Sequence, residues 1–273
     1  MNTTRMERRA APRRWRARLW DVIYRTLRFV AQHVRGFYPA VLAFLAIAFL
    51  GAAALVAFVA LAKVVLEGAT TPTDDAILQW FARHRTAILT AVALQVTQLG
   101  TGVVLWMLML VSAAFLWLTD HRYSAGLLFV GILGASILNV ALKDVFLRPR
   151  PSSVHPLTVV GSASFPSGHA MVSFVAYAAV ALLVSRLESG TALRVVTWLL
   201  ALLLIVAIGL SRVYLGVHYP SDVVAGYLAG LAWLAFVATG ITALRFFAHR
   251  RPQVRAVEHD LDAEAKRAAG PSS

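Results

Sequence analysis

Cysteine is absent from the 273-residue chain, so neither disulfides nor a redox compartment can be read from it. Charge is scarce as well: 14% of residues are charged against 59% hydrophobic, and the mean hydropathy of +0.70 excludes an ordinary soluble domain. Acidic residues are the scarcest of these, 13 Asp and Glu against 26 Lys and Arg, for a net charge of +13. The bases crowd into the two ends of the chain instead of lining one element. They therefore read as an orientation signal for a membrane protein and not as a nucleic-acid surface.

What the chain has in abundance is long apolar runs. Ala40–Leu61, Gly102–Leu118, Ala125–Leu142, His169–Val184, Val195–Leu210 and Val223–Leu244 predict an all-α, polytopic bundle of six transmembrane helices. Residues 66–100 carry Ile77, Trp80, Phe81 and an apolar stretch from Ala87, but Arg83, Arg85, Gln95 and Gln98 interrupt them. They read as one or two interfacial helices outside the membrane rather than a span. Residues 1–38 hold ten arginines with apolar residues at helical spacing, which fits either an amphipathic helix on anionic lipid or an unstructured basic tail. This leader is too long and too rich in arginine for a cleaved signal peptide, so the first span is expected to be retained. The chain thus divides into a basic tail (1–38), a membrane domain (39–244) and a disordered polar tail (245–273).

Six spans place both termini on one face, and most of the 26 Lys and Arg lie on the side that holds them, which predicts cytoplasmic termini in a cell membrane. Parity then sends three polar clusters, far apart in sequence, to the opposite end of the bundle. The first is Lys143-Asp-Val-Phe-Leu-Arg-Pro-Arg-Pro151, whose two prolines end the helix before Arg150. Lys143 and Arg150 suit an anionic group such as phosphate, although a snorkelling interface anchor has the same composition. The second is Ser164-Phe-Pro-Ser-Gly-His169. Ser167 reads as a helix N-cap and Gly168 permits close approach, so free N–H groups and the serine hydroxyl make an anion cradle beside His169. The third is Ser211-Arg-Val-Tyr-Leu-Gly-Val-His-Tyr-Pro-Ser-Asp222. Gly216 and Pro220 place His218 in a tight connection, Ser221 reads as the next N-cap, and Asp222 stands close enough to hold one imidazole nitrogen of His218. Together these residues fit phosphoryl transfer, in which positioning and charge stabilisation carry most of the catalysis.

Lys143-x6-Arg150-Pro151, Pro166-Ser-Gly-His169 and Ser211-Arg-x5-His218-x3-Asp222 resemble, in order and spacing, the three signature motifs of the type 2 phosphatidic acid phosphatase superfamily. The resemblance covers roughly residues 70–245. It implies that His218 is a nucleophile forming a phosphohistidine, that Asp222 orients it, and that His169 protonates the leaving group. It further implies that Lys143, Arg150, Ser167, Gly168 and Arg212 hold the phosphoryl oxygens; Arg148 is not a signature position. No metal or other cofactor is implied, and the chain contains no His-Glu-x-x-His motif. The expected activity is hydrolysis of a membrane lipid phosphate or diphosphate, with polyprenyl diphosphate, phosphatidate and phosphatidylglycerophosphate all compatible. A phosphotransferase and a lipid-binding or transport protein on the same scaffold are the competing readings. Vanadium-dependent haloperoxidases share the motifs but are expected to be soluble, which six spans oppose.

Overall fold

A computed structural model describes residues 41–268, with side chains described up to Arg245. Regular structure among the described residues is all helical: α1 (Val41–Leu66), α2 (Thr71–Arg83), α3 (Ala87–Gln98), α4 (Gly102–Leu118), α5 (Arg122–Phe146), α6 (Gly168–Leu187), α7 (Thr191–Tyr214) and α8 (Pro220–Ala268), with an irregular segment of residues 147–167 between α5 and α6. Helices α1, α5, α6, α7 and the Pro220–Arg245 part of α8 are each long and apolar enough to cross a membrane. Helices α3 and α4, bent by 42° across a short break, supply a sixth span if taken together. The expected outer helices therefore resolve into two different things. α2 is a separate helix, whereas α3 runs into the predicted second span through the bend. The expected amphipathic helix in residues 1–38 lies outside the described residues.

Two boundaries differ from the sequence reading in ways that matter. α7 runs past Leu210 to Tyr214, so Arg212 sits in its last helical turn and not in the connection. The disordered tail expected from residue 245 is instead a continuation of α8 to Ala268. Ala, Arg and Glu recur there, all strong helix formers, and their propensity outweighs the polar composition that suggested disorder.

The described residues from Ile47 onward form one compact unit, with α6 at its centre. α6 buries a run of small residues, Ala170, Ser173, Ala176, Ala178, Ala179 and Ala181, so neighbouring helices approach closely. α8 meets it with a small-residue pair one turn apart. A Cβ on Gly226 would lie 2.7 Å from the Ser167 carbonyl oxygen, and one on Gly230 would lie 2.9 Å from that of Met171. Bare backbone against backbone is the packing device of membrane helices, where dispersion replaces the hydrophobic drive. α8 also donates the Trp233 indole N–H to the Gly131 carbonyl of α5 at 2.9 Å. Outward faces of α1, α4 and α7 carry exposed large apolar side chains such as Phe49, Phe115 and Leu203, as a lipid-facing surface requires.

Candidate active site

The site is assembled where α5 ends and where α6 and α8 begin. α5 stops at Phe146, and Leu147, in the left-handed region at φ 47°, turns the chain back over the bundle. Extended chain then carries Arg148 and Arg150 across the helix ends. Lys143 and Arg150 do not share a helix face. They meet from two sides on the segment just before α6: Lys143 Nζ donates to the Ala163 carbonyl, and Arg150 Nε donates to the Ser162 carbonyl at 2.8 Å.

Gly216, at φ +74°, lets the chain leave α7 through a turn that L side chains resist, and an added Cβ would lie 2.8 Å from the Arg85 guanidinium. His218 follows, 2% exposed, with Nδ1 3.4 Å from Asp222 Oδ2. Its Nε2 faces Arg150 Nη1 at 3.4 Å. A guanidinium donates and never accepts, so Nε2 carries the lone pair and Nδ1 carries the proton toward Asp222. Burial pushes the His218 pKa down to about 4, against the pull of Asp222, so the imidazole is neutral across the ordinary working range. Burial likewise lowers Arg150 below the usual guanidinium range, with Asp222 opposing the shift.

Asp222 is fully buried in the first turn of α8 and its two oxygens do different work. Oδ2 accepts the Ser164 hydroxyl at 2.5 Å, the Tyr219 N–H at 2.9 Å and the His218 side. Oδ1 accepts Arg148 Nη1 at 2.6 Å. Ser221 was read as the N-cap of this helix, but the helix starts at Pro220, which leaves Ser221 inside its first turn. Its N–H and hydroxyl instead bind Asp74 of α2, at 3.0 and 2.5 Å. Proline at the first helical position is favoured because its missing N–H is no loss there.

Ser167 does precede α6 as its N-cap residue, yet its hydroxyl makes no capping bond. It is buried without a partner, as is Nε of Arg212. Arg212, 3% exposed, donates Nη1 to Thr97 of α3 at 2.8 Å and pairs with no carboxylate among the described residues. Gly168 is pinned by space: a Cβ would lie 2.7 Å from Asn139 Oδ1. The His169 ring packs against the α3–α4 bend, where a Cβ on Gly100 would sit 3.2 Å from its Cδ2. His169 lies near enough to Arg212, His218, Lys143 and Arg150 to feel all of their charges. The eight residues singled out from the sequence are thus brought to one place. Beside them a cavity of about 410 Å³ is lined by Arg150, Pro151, His155, Leu157 and Val217.

Sequence reasoning missed Asp74, Thr97 and Asn139, and gave Ser164 and Arg148 no role. Asp74 lies beside Asp75 in what reads as an ordinary acidic first turn, and Thr97 lies between Gln95 and Gln98 at the end of a largely apolar helix. Neither carries a signal that spacing could reveal. Arg148 and Ser164 lay within quoted clusters, and only the folded geometry separates them from their neighbours.

What this arrangement can do follows from its charges. Arg148 is shared between the two buried carboxylates Asp74 and Asp222. That leaves Lys143, Arg150 and Arg212 beside a helix N-terminus without carboxylate partners among the described residues. Arg212 is buried and Lys143 and Arg150 are half-buried; cations so placed favour an anion, and a phosphoryl group supplies oxygens for all three and an acceptor for the Ser167 hydroxyl.

A membrane bundle with a histidine-centred anion site at its helix ends defines the class. A PAP2 superfamily profile matches residues 124–246. Phosphatidylglycerophosphatase B of Bacillus subtilis (strain 168) is 33% identical over 185 residues, which are 67% of this chain and 90% of that protein. Undecaprenyl-diphosphatase of Sulfolobus acidocaldarius is 34% identical over 119 residues, 42% of this chain and 53% of that one. Decaprenylphosphoryl-5-phosphoribose phosphatase of Mycobacterium tuberculosis is 38% identical over 105 residues, 37% of this chain and 51% of that one. Among solved structures, the transmembrane PAP2 type phosphatidylglycerolphosphate phosphatase from Bacillus subtilis matches with a TM-score of 0.65 at 29% identity, over 70% of this chain and 94% of that one. The chain belongs to the PAP2 superfamily, among its multi-span membrane phosphatases.

Proposed function

We propose that the protein hydrolyses a membrane lipid phosphate or diphosphate through a phosphohistidine at His218, without a metal ion. One observation carries the reading: a neutral, buried His218, oriented by Asp222 through Nδ1, presents Nε2 to the Arg150 guanidinium, near Lys143 and Arg212, which have no carboxylate partner among the described residues. In the first step Nε2 attacks phosphorus in line, the phosphorus–oxygen bond to the lipid or lipid phosphate breaks, and His169 gives the departing oxygen its proton. The Nδ1 proton stays with the imidazole, whose growing positive charge Asp222 stabilises. In the second step His169 takes a proton from water, the water oxygen bonds to phosphorus, and the nitrogen–phosphorus bond breaks to free inorganic phosphate. Lys143, Arg150, Arg212, the Ser167 hydroxyl and the amides at the start of α6 hold the equatorial oxygens as charge builds.

The clustering of Lys and Arg toward both chain ends supports cytoplasmic termini and a site on the opposite face, within a membrane domain of residues 39–244 flanked by 1–38 and 245–273. The position at helix ends favours a substrate that reaches the site sideways from the bilayer. The named relatives act on phosphatidylglycerophosphate, undecaprenyl diphosphate and decaprenylphosphoryl-5-phosphoribose, so the substrate class here is a lipid-borne terminal phosphate. The test is phosphate release by the purified protein in EDTA from a panel of polyprenyl and glycerolipid phosphates in detergent micelles. Release from at least one lipid is expected. Release from none, or transfer of phosphate to an added acceptor with no hydrolysis, overturns the reading.

A further inference from the structure

Asp74 has no place in the motifs, yet it is 3% exposed and its carboxylate is fully engaged. Oδ1 accepts the Ser221 N–H at 3.0 Å, while Oδ2 accepts the Ser221 hydroxyl at 2.5 Å and Arg148 Nη2 at 3.0 Å. The other arm of the same guanidinium, Nη1, reaches Asp222 Oδ1 at 2.6 Å and Ser221 Oγ at 2.8 Å. Its Cζ lies over the Tyr219 ring, 4.0 Å from the centroid. One arginine therefore bridges two buried carboxylates that are 148 positions apart in the chain and stacks on an aromatic ring.

On these contacts we propose that Arg148, braced by Asp74, is the positioning residue for Asp222, which makes helix α2 part of the catalytic apparatus. The proposal rests on the phosphohistidine reading. Arg148 is the sole partner of Asp222 Oδ1 among the described residues, so it anchors one end of the carboxylate while the Ser164 hydroxyl and the Tyr219 N–H hold Oδ2 toward His218. Asp74 contributes charge as well as geometry. Arg148 and Asp222 by themselves would be a neutral pair with little hold on a histidine turning cationic. A second carboxylate behind the arginine leaves the trio one negative charge, located where the imidazole needs it. Bracing also keeps Arg148 away from the phosphoryl group, which Lys143, Arg150 and Arg212 hold.

The experiment compares steady-state kinetics of the full-length protein, Asp74→Asn, Arg148→Lys and the double variant on the best lipid phosphate of the panel, together with inhibition by inorganic phosphate. Asp74→Asn keeps the shape and removes the charge. Arg148→Lys keeps the charge and removes the two-armed fork. Each is expected to lower kcat by about tenfold or more, while KM and the phosphate inhibition constant stay within about twofold. The double variant is expected to lose little beyond the worse single one, because both act through one bridge. Unchanged kcat, losses that fall on KM and phosphate inhibition instead, or multiplying losses in the double variant overturn the proposal. Should Arg148→Lys fail to accumulate, Asp74→Asn decides alone, with retained phosphate inhibition as the sign of an intact site. An inactive unmodified protein refutes the functional reading itself, whereas an active one with unaffected variants refutes only the bridge.

Discussion

Gly226→Ala tests how tightly the two catalytic helices must be held. The position lies one turn beyond Asp222 on α8, facing the first residues of α6. An added methyl would lie 2.7 Å from the Ser167 carbonyl oxygen, 2.9 Å from Ala170 Cβ and 3.2 Å from the Met171 nitrogen. Ordinary contact begins near 3.4 Å, so α8 must move away from the N-terminus of α6 by about 0.7 Å. The obstructing atoms are backbone and a β-carbon, so no rotamer change absorbs the shift. Overpacking of this kind costs about 1–3 kcal/mol, offset by about 1 kcal/mol from replacing a helical glycine. The net effect on stability is therefore small. Its effect on catalysis is not, because the displacement separates Asp222 and His218 from Ser167, Gly168 and His169. A misplacement of about 1 Å can cost about 100-fold in rate, and kcat is expected to fall by about 10- to 100-fold while the detergent-solubilised protein melts within a few degrees of the parent. Gly240→Ala on the same helix, with nothing within 4 Å of its would-be methyl, is the control and should be as active as the parent. Equal activity of the two variants, or a Gly226→Ala protein with normal kcat, refutes the claim that this contact sets the site.

Three other outcomes follow from the same geometry. Ser167→Ala removes a buried hydroxyl that has no partner, so its thermal midpoint should hold or rise, by up to about 1 kcal/mol in stability, while kcat/KM falls by about tenfold; loss of both together contradicts the assignment. His218 takes up a proton near pH 6.5 when unfolded and near 4 when folded, so the folded state loses stability as pH falls between those values; denaturant titrations of the parent against His218→Asn should show the difference shrinking across that window, and no change there contradicts the neutral buried imidazole. His169→Ala should slow substrates with a poor alcohol leaving group by about 100-fold or more and activated aryl phosphates far less, and equal slowing of both removes its role as acid.

Much of the site was legible because its chemistry needs particular residue types at fixed local spacing. His218 and Asp222 are four apart across a helix start, and Ser167, Gly168 and His169 open a helix, so local rules already bring these groups together. Lys143 and Arg150 were legible as cations, but not their meeting on the 162–163 carbonyls, which follows from Leu147 reversing the chain. Thr97, Asn139 and Asp74 were hidden because the partner of each lies far away in sequence, and no periodicity marks such a pair. In the fold, apolar runs revealed the spans. The bend joining α3 to α4 depends on Gly100 fitting against Ile208 and His169, a tertiary contact with no local trace. The same holds for Gly226 and Gly230, whose meaning lies in the helix they face.

The most direct test of the whole account is to quench the protein during turnover of a radiolabelled lipid phosphate and map the labelled peptide. Label that is stable to alkali, lost in acid and located on His218 is the predicted result. Acid-stable label, label on another residue, or turnover in His218→Ala at the parental rate would contradict it.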